Sequence, residues 1–266
     1  MSIHPTALVD PNAEIGNDVK IGPFAIVEAG TRIADGCRIE AAAQILRGTE
    51  IGEGCRVGSG TILGGDPQFR DFDPEVPSGV RIGRDNVIRE NVTVHRSIHP
   101  GGTTSVGDGN FLMTGSHIGH DTVVGNGNTF ANCVQLAGHV SVGNSCFLGG
   151  GAMAHQFVRI GDLVMVQGLA GLSLDLPPYL MAAAGLNWVV GINAVGLKRA
   201  GYSQETRTSL KEAFRTIYWG AETLQSVLAR VSNEELDPVM SNFYDFLKGE
   251  SKKGLCIRTY RGARNA

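Results

Sequence analysis

Aliphatic side chains recur at every sixth position along most of this chain. The register holds from Ile3 to Leu63 and resumes from Ile82 to Leu172, with one position lost at Pro100. Glycine often follows the aliphatic residue, which suggests a recurrent corner. A period of six fits neither a helix nor a simple strand and is typical of a parallel β-helix. The pattern predicts a mainly β fold in which three hexads, about 18 residues, form each stacked coil.

Two interruptions divide the repeat. The first, near 64–80, contains several prolines and shifts the hexad phase by one residue, whereas the second, near 95–105, keeps the phase. Both predict loops outside the coils, and long loops in compact domains are often functional. We expect a β-helix domain over 1–190 and an α-helical C-terminal domain over 191–266.

The C-terminal region carries helix signals instead of the repeat. Ser203 is suited to cap a helix, and Asn233, with Glu234 and Glu235, is expected to begin another. Pro238 is tolerated in the first turn of that later helix. Packed on the end of the coils, these helices would cover a β edge that otherwise invites aggregation.

Composition and charge exclude several classes of protein. The hydrophobic fraction of 42% is ordinary, and the net charge of -3 gives no general reason to bind nucleic acid. No leader peptide or membrane span is apparent, so we expect a cytoplasmic protein without stable membrane insertion. Five cysteines lack metal-type spacing. Cys37 and Cys55 fall one coil apart and are expected as small wall residues rather than a disulfide.

Six polar residues are predicted at one edge across three coils. The coil period places Asp121 directly beside His139 on adjacent coils, and it puts His120 in one column with Gln156. His155 adjoins that column, and His117 lies around the local corner. Taken singly, such histidines are usually solvated surface residues. Their concentration in one column favours a functional site.

Imidazole with a neighbouring carboxylate suits general-base chemistry. A histidine can take a proton from a hydroxyl near neutral pH, and a carboxylate can fix its tautomer and support its charged form. No serine or cysteine forms a recognisable nucleophile motif with these histidines, which favours direct transfer over a covalent intermediate. A zinc site is the competing interpretation, because three histidines are also a metal ligand set.

Several strings resemble those of the UDP-N-acetylglucosamine O-acyltransferases that begin lipid A synthesis, and the resemblance covers nearly the whole chain. They are Ile88-Arg-Glu-Asn-Val-Thr-Val-His-Arg96, His117-Ile-Gly-His-Asp121, Leu136-Ala-Gly-His-Val140, His155-Gln-Phe157, Asp175-Leu-Pro-Pro-Tyr179 and Gly191-Ile-Asn-Ala-Val-Gly-Leu-Lys-Arg199. The resemblance implies a left-handed β-helix and a homotrimer with active sites between neighbouring chains. It also implies transfer of a 3-hydroxyacyl group from acyl carrier protein to the sugar 3-hydroxyl.

The resemblance also implies roles for particular residues. His120 matches the general base and Asp121 its orienting partner, and Gly168 matches a position that limits the acyl-chain groove. Gly143 matches a glycine whose amide could bind the oxyanion. The substrate-binding positions are matched by Gln68, His117, His139, His155, Gln156, Asn193 and Arg199. No metal and no cofactor are expected, since the acyl group arrives on the phosphopantetheine of the carrier protein. Basic residues clustered near the C-terminus are a solvated tail or a contact for that carrier: Lys252, Lys253, Arg258, Arg261 and Arg264.

This chain departs from the family pattern at the nucleotide-sugar contacts. Phe69 and Asp71 stand where the family has an aspartate and a lysine, Val195 replaces an acidic residue, and Ala200 replaces an arginine. Acylation of a modified sugar such as a 3-amino analogue, giving an amide, is therefore an alternative. A zinc hydratase of the carbonic anhydrase type and a catalytically inactive scaffold are two further alternatives.

Overall fold

The computed structural model describes residues 1–232 and 235–257. Short parallel strands stack coil upon coil as far as Leu186, and a last strand, Val189–Ile192, pairs antiparallel at the top. Each coil bonds to the next through its backbone, as where the amide of Ser2 donates to the carbonyl of Val19 at 2.8 Å. The prediction of a mainly β parallel β-helix with a helical C-terminal region is confirmed.

The strands form three sheets, one along each side of the coil. The first sheet contains Ser2–Ile3, Lys20–Ile21, Arg38–Ile39, Arg56–Val57, Val87–Ile88, Phe111–Leu112, Thr129–Phe130, Phe147–Leu148, Met165–Val166, Leu180–Ala182 and Val189–Ile192. The second contains Leu8–Val9, Ile26–Val27, Gln44–Ile45, Ile62–Gly65, Thr93–His95, His117–Ile118, Gln135–Leu136, Met153–Ala154, Ala170–Leu172 and Gly185–Leu186. The third contains Glu14–Ile15, Arg32–Ile33, Thr49–Ile51, Gly79–Ile82, Thr103–Val106, Val123–Val124, Ser141–Val142 and Arg159–Ile160.

The core is the axis of the coil. The predicted aliphatic positions are buried from Ile21 onward, and only Ile3, on the open first coil, is exposed. Burial of each such side chain contributes about 1.5–3 kcal/mol. A second inward position two residues earlier holds smaller side chains. Cys37 and Cys55 occupy it as free, buried thiols, as predicted.

Two excursions leave the coil at the same corner. One covers 66–78 and the other 96–102, and each connects a strand of the second sheet to the next strand of the third. This turn is called the second-to-third corner below. The two loops therefore project from adjacent coils on one edge of the molecule.

Within residues 1–232 and 235–257, four helices follow the coils: α1, Ala194–Arg199; α2, Gln204–Trp219; α3, Leu224–Val231; and α4, Pro238–Lys248. Ser203 caps α2 as predicted, accepting a hydrogen bond from the amide of Thr206. Asp237 caps α4, and Pro238 stands in its first turn as predicted. Glu235, expected in the helix that begins at Asn233, precedes this cap and is not helical, while Asn233 and Glu234 lie outside the described residues. A carboxylate accepting from two first-turn amides gives the better start, and Pro238 follows it naturally.

After α4 the chain returns to the coils. Leu255 forms a parallel bridge with Asp175, and the amide of Cys256 donates to the carbonyl of Asp175 at 2.8 Å. The carboxylate of Asp175 is fully buried and pairs with Arg159 at 2.7 Å. The C-terminal segment thereby lies against the upper coils. Of the helices in the described ranges, none is long and apolar enough to cross a bilayer.

Candidate active site

The predicted polar column lies at the second-to-third corner. Asp121, His139 and Phe157 occupy equivalent positions on three consecutive coils, each with a left-handed backbone, φ 59°, 60° and 67°. Ala42 has the same conformation, φ 56°, at a corner remote from the histidines, so the conformation belongs to the coil and not to the site. At this corner, the left-handed conformation stacks the side chains of Asp121, His139 and Phe157 directly above one another.

His120 and Asp121 form a hydrogen-bonded pair. Nδ1 of His120 lies 2.8 Å from Oδ2 of Asp121, which also accepts from the amide of Ile98 at 3.2 Å. Oδ1 accepts a short hydrogen bond from the buried hydroxyl of Ser97. Burial alone would raise the pKa of Asp121, but hydrogen bonds from Ser97, His120 and Ile98 outweigh it and hold the pKa below its usual value. An ionised Asp121 can only accept, so the proton of His120 resides on Nδ1.

The other edge of the His120 ring faces Gly138. A Cβ atom on Gly138 would lie 2.5 Å from Nε2 of His120, so only glycine allows the ring its present place. Within the described part of the chain, the amide of Gly138 donates no hydrogen bond. The amide of Gly143, by contrast, donates to the carbonyl of Ile160 at 2.8 Å. The amide of Gly143 is therefore not available as an oxyanion donor, because it already forms a backbone hydrogen bond to the next coil.

His139 is held between aromatic and charged neighbours. Its ring stacks on Phe157 at 4.6 Å, meets His120 edge-on at 5.0 Å, and has Nε2 at 4.0 Å from Oδ2 of Asp121. Nζ of Lys252 lies over the ring of Phe157, 4.6 Å from its centroid. Burial, opposed by Asp121, lowers the pKa of His139. His139 is therefore neutral near pH 7.

His117 lies one turn away on the outer face of the second sheet. A hydrogen bond of 2.7 Å joins its Nδ1 to Oγ1 of Thr93, and its ring meets that of His95 edge-on at 4.7 Å. Burial, and then the neighbouring His120, lowers the pKa of His117. Burial also lowers the pKa of His95 to about 4, and its Nδ1 is buried without a hydrogen-bond partner. These two neutral imidazoles lie beside His120 and Asp121.

A buried arginine shapes the loop over 66–78. The guanidinium of Arg96 donates to Asp66 at 2.9 Å and to the carbonyls of Val76 at 2.5 Å and Pro74 at 2.7 Å. It also lies 4.8 Å from the ring centroid of Phe72. Arg96 is thus a positioning residue for the loop that carries Gln68.

The structure brings some of the predicted site residues together and separates others. Gln68, His155 and Gln156 lie exposed at the same corner as His120. Gly168 lies at the turn from the first sheet to the second. Asn193 lies at the turn from the third sheet to the first, where its side-chain amide donates to the carbonyl of Leu163 at 2.9 Å and its side-chain oxygen caps α1. Arg199 is the last residue of that helix.

Four contributors to the site were not singled out from the sequence. The 18-residue coil period could have placed Phe157 beside His139, because it follows His139 by one coil. Arg96 could have been noticed as the last residue of the family-like string Ile88–Arg96. Gly138 also stands in a quoted string, but its contact with the ring of His120 could not be read from the sequence. Ser97 had no signal, because it reaches Asp121 only through the path of its loop. Of the predicted basic cluster, Lys252 lies at the site, while Arg258, Arg261 and Arg264 lie outside the described residues.

Asp121 also belongs to a cluster of possible metal ligands. His99, Asp121 and His139 each offer one metal-ligating atom, and these atoms lie within 4.8 Å of one another. Asp121 and His139 also line a groove of about 560 Å³ together with Phe157, Arg159 and the segment Glu250, Ser251 and Lys252. A larger groove of about 910 Å³ lies below, between the loop at Pro74 and the first coils, and none of the histidines lines it. Asp121 and His139 therefore lie in the smaller groove.

Three family profiles match the chain. The profile described as UDP-N-acetylglucosamine O-acyltransferase, domain 2, matches residues 175–256. The bacterial transferase hexapeptide profile of six repeats matches 103–138, and that of the GMPPB C-terminal domain matches 3–98.

Relatives and solved structures resemble the chain along nearly its full length. An acyl-[acyl-carrier-protein]–UDP-N-acetylglucosamine O-acyltransferase of Myxococcus xanthus is 44% identical, over 95% of this chain and 98% of its own. One of Sinorhizobium fredii is 35% identical, over 95% and 94%. The structure of the UDP-N-acetylglucosamine acyltransferase of Francisella novicida superposes with a TM-score of 0.92 at 30% identity, covering 99% of this chain and 96% of that one.

Proposed function

Because this chain belongs to the UDP-N-acetylglucosamine O-acyltransferase family and is an acyltransferase, we propose that it acylates the sugar at the first step of lipid A synthesis. The donor is a 3-hydroxyacyl group on acyl carrier protein, and the acceptor is the 3-hydroxyl of UDP-N-acetylglucosamine. The observation that carries the proposal is the pairing of His120 with Asp121 at 2.8 Å, with the Nε2 edge of the ring against Gly138.

His120 acts as the general base. With its proton on Nδ1 and held by Asp121, Nε2 is free to take the proton of the sugar hydroxyl as the oxygen attacks the thioester carbonyl. The imidazolium that forms is stabilised by the ionised Asp121. His117 and His139 are neutral near pH 7, so neither places a competing positive charge beside His120.

The amide of Gly138 is suited to bind the oxyanion of the tetrahedral intermediate. Gly138 lies against the Nε2 edge of the base, and within the described residues its amide donates no hydrogen bond. A preorganised amide donor contributes about 3–4 kcal/mol to such a transition state. Collapse of the intermediate forms the ester and breaks the carbon–sulfur bond. His120 then returns its proton to the departing thiolate of the phosphopantetheine.

A homotrimer completes the site. The outward row of the second sheet is apolar along much of its length, with Leu8 67%, Met153 54% and Leu186 58% exposed. The outward row of the third sheet is charged instead, for example Glu14 with Arg32. His117 lies in the apolar row, so a neighbouring copy packed there would adjoin the catalytic pair. That neighbour would bring Asn193 and Arg199, which lie at another corner of their own chain.

The choice of acceptor is tested by supplying two sugars in equal concentration. Purified enzyme is given 3-hydroxyacyl carrier proteins of several chain lengths with UDP-N-acetylglucosamine and its 3-amino analogue, and products are identified by mass. The proposal predicts the ester from UDP-N-acetylglucosamine. Amide product alone would support the 3-amino alternative, which the exposed Phe69 motivates, and binding without turnover would support an inactive scaffold. A cytoplasmic compartment stays a prediction.

A further inference from the structure

We propose that His99, Asp121 and His139 form a binding site for a divalent transition metal ion such as Zn²⁺, whose occupancy switches off the catalytic pair. The three residues come from two adjacent coils and the loop 96–102, and their ligating atoms lie within 4.8 Å of one another. Two imidazoles and a carboxylate suit zinc, leaving a fourth position open. Binding stands independently of the proposed function, while the inhibitory effect rests on it.

The ligands are held by the same hydrogen bonds that build the active site. The hydroxyl of Ser97 donates to Oδ1 of Asp121, and the same Oγ of Ser97 accepts from the backbone amide of His99 at 3.0 Å. The carbonyl of His99 accepts from the amide of Gly102 at 2.9 Å, so the backbone of His99 is tied on both sides. The rings of His99 and His139 are 5.9 Å apart. The loop therefore presents His99 toward the ligands on the coil.

Little movement brings the atoms to metal geometry. Tetrahedral zinc with bonds of about 2.0–2.1 Å holds its ligand atoms about 3.4 Å apart. Nε2 of His139 and Oδ2 of Asp121 are already 4.0 Å apart. The remaining approach falls on His99, whose side chain is exposed and free to turn. Asp121 and His139 both line the open groove, which gives an ion access and leaves its fourth position facing solvent.

An ion at this site would use an oxygen that already holds His120. Nε2 of His139 faces Oδ2 of Asp121 across 4.0 Å, so an ion held between these atoms contacts that oxygen. Oδ2 is also the acceptor for Nδ1 of His120 at 2.8 Å. A cation on Oδ2 competes with that hydrogen bond, and the carboxylate then no longer orients the ring of His120.

The test measures zinc binding and turnover separately. Chelator-treated wild type, His99→Ala and His4→Ala are titrated with Zn²⁺ by calorimetry, and Co²⁺ spectra report the coordination number. His4 is an exposed histidine on the first coil and serves as the matched control. We expect one site per chain in wild type and in His4→Ala, and affinity at least about tenfold weaker in His99→Ala, the loss of one ligand.

Zinc is then added to the acyl-transfer assay. His99→Ala should turn over like wild type without metal and need at least about tenfold more Zn²⁺ for half inhibition. Equal affinity and equal inhibition in wild type and His99→Ala would overturn the proposal. If no substrate pair gives turnover, the proposed function fails, while the calorimetric difference between wild type and His99→Ala still decides whether the metal site exists.

Discussion

The hydroxyl of Ser97 donates to Oδ1 of Asp121, so the loop 96–102 holds the carboxylate that orients His120. Ser97 is fully buried, although the loop that carries it leaves the coil. The second oxygen of Asp121 is shared by His120 and the amide of Ile98. The pairing of His120 with Asp121 therefore depends on a loop as well as on the repeat.

Removing that hydroxyl should slow the reaction without abolishing binding. In Ser97→Ala the carboxylate loses a hydrogen bond worth about 1.5–3 kcal/mol, and we expect kcat to fall about tenfold with KM nearly unchanged. Because Ser97 lowers the pKa of Asp121, its loss should move the acid limb of the pH–rate profile to higher pH. Ser105→Ala, an outward serine on the next third-sheet strand, is the control. An identical profile in both variants would show that Ser97 does not act through Asp121.

Gly138 should tolerate no side chain. In Gly138→Ala the new Cβ would meet the ring of His120 at 2.5 Å, so the ring must turn away from its partner or from the substrate. Gly138 has no left-handed backbone angle, so the change should spare the fold. We expect kcat to fall by about two orders of magnitude with an unchanged thermal midpoint, measured on the same preparation. Activity within about threefold of wild type would argue against the placement of the ring.

Acid should destabilise the protein through its buried histidines. The pKa of His95 is about 4 in the fold, below its value in an unfolded chain, so the unfolded state binds more protons between these two values. The contribution of His95 to the free energy of unfolding is therefore fully present above about pH 6.5. As pH falls toward about 4, the free energy of unfolding decreases by on the order of 3 kcal/mol because of this residue.

Urea unfolding at pH 7 and pH 5 checks this loss. His95→Phe removes the titrating group while keeping an aromatic ring beside His117, so its free energy of unfolding should fall less between the two pH values than that of wild type. Equal falls in the two proteins would place the acid sensitivity elsewhere.

Mixed trimers should reveal sites shared between chains. His120→Ala and Arg199→Ala are each expected to be inactive alone, because each removes one side of every cleft. Reassembled from equal amounts, about one cleft in four should receive His120 from one chain and Arg199 from its neighbour, and turnover should recover to about a quarter of wild type. No recovery from verified mixed trimers would mean that both residues serve the same chain's site, or that Arg199 serves none.

The sequence was sufficient to predict the coil and part of the site. The hexad spacing identified Ile118 and Leu136 as core and placed Asp121 beside His139, which the 4.0 Å approach of their side chains confirms. A periodic backbone allows this, because equivalent positions on successive coils must stack.

The remaining contributors depend on chain paths that no period describes. Ser97 reaches Asp121 through a loop, and Lys252 reaches Phe157 from the far end of the chain. Positions 138 and 143 are both glycine, but they lie at different places in the coil. Only the pattern of backbone hydrogen bonds distinguishes the engaged amide of Gly143 from the free one of Gly138.

The general-base role of His120 is tested most directly by single-turnover acyl transfer in wild type, His120→Ala and His120→Gln at saturating donor and acceptor. The account predicts a fall of about two to four orders of magnitude in both variants, with acceptor affinity and trimer assembly retained. Transfer within about tenfold of wild type, from variants of unchanged assembly, would contradict it and assign the proton transfer to another group.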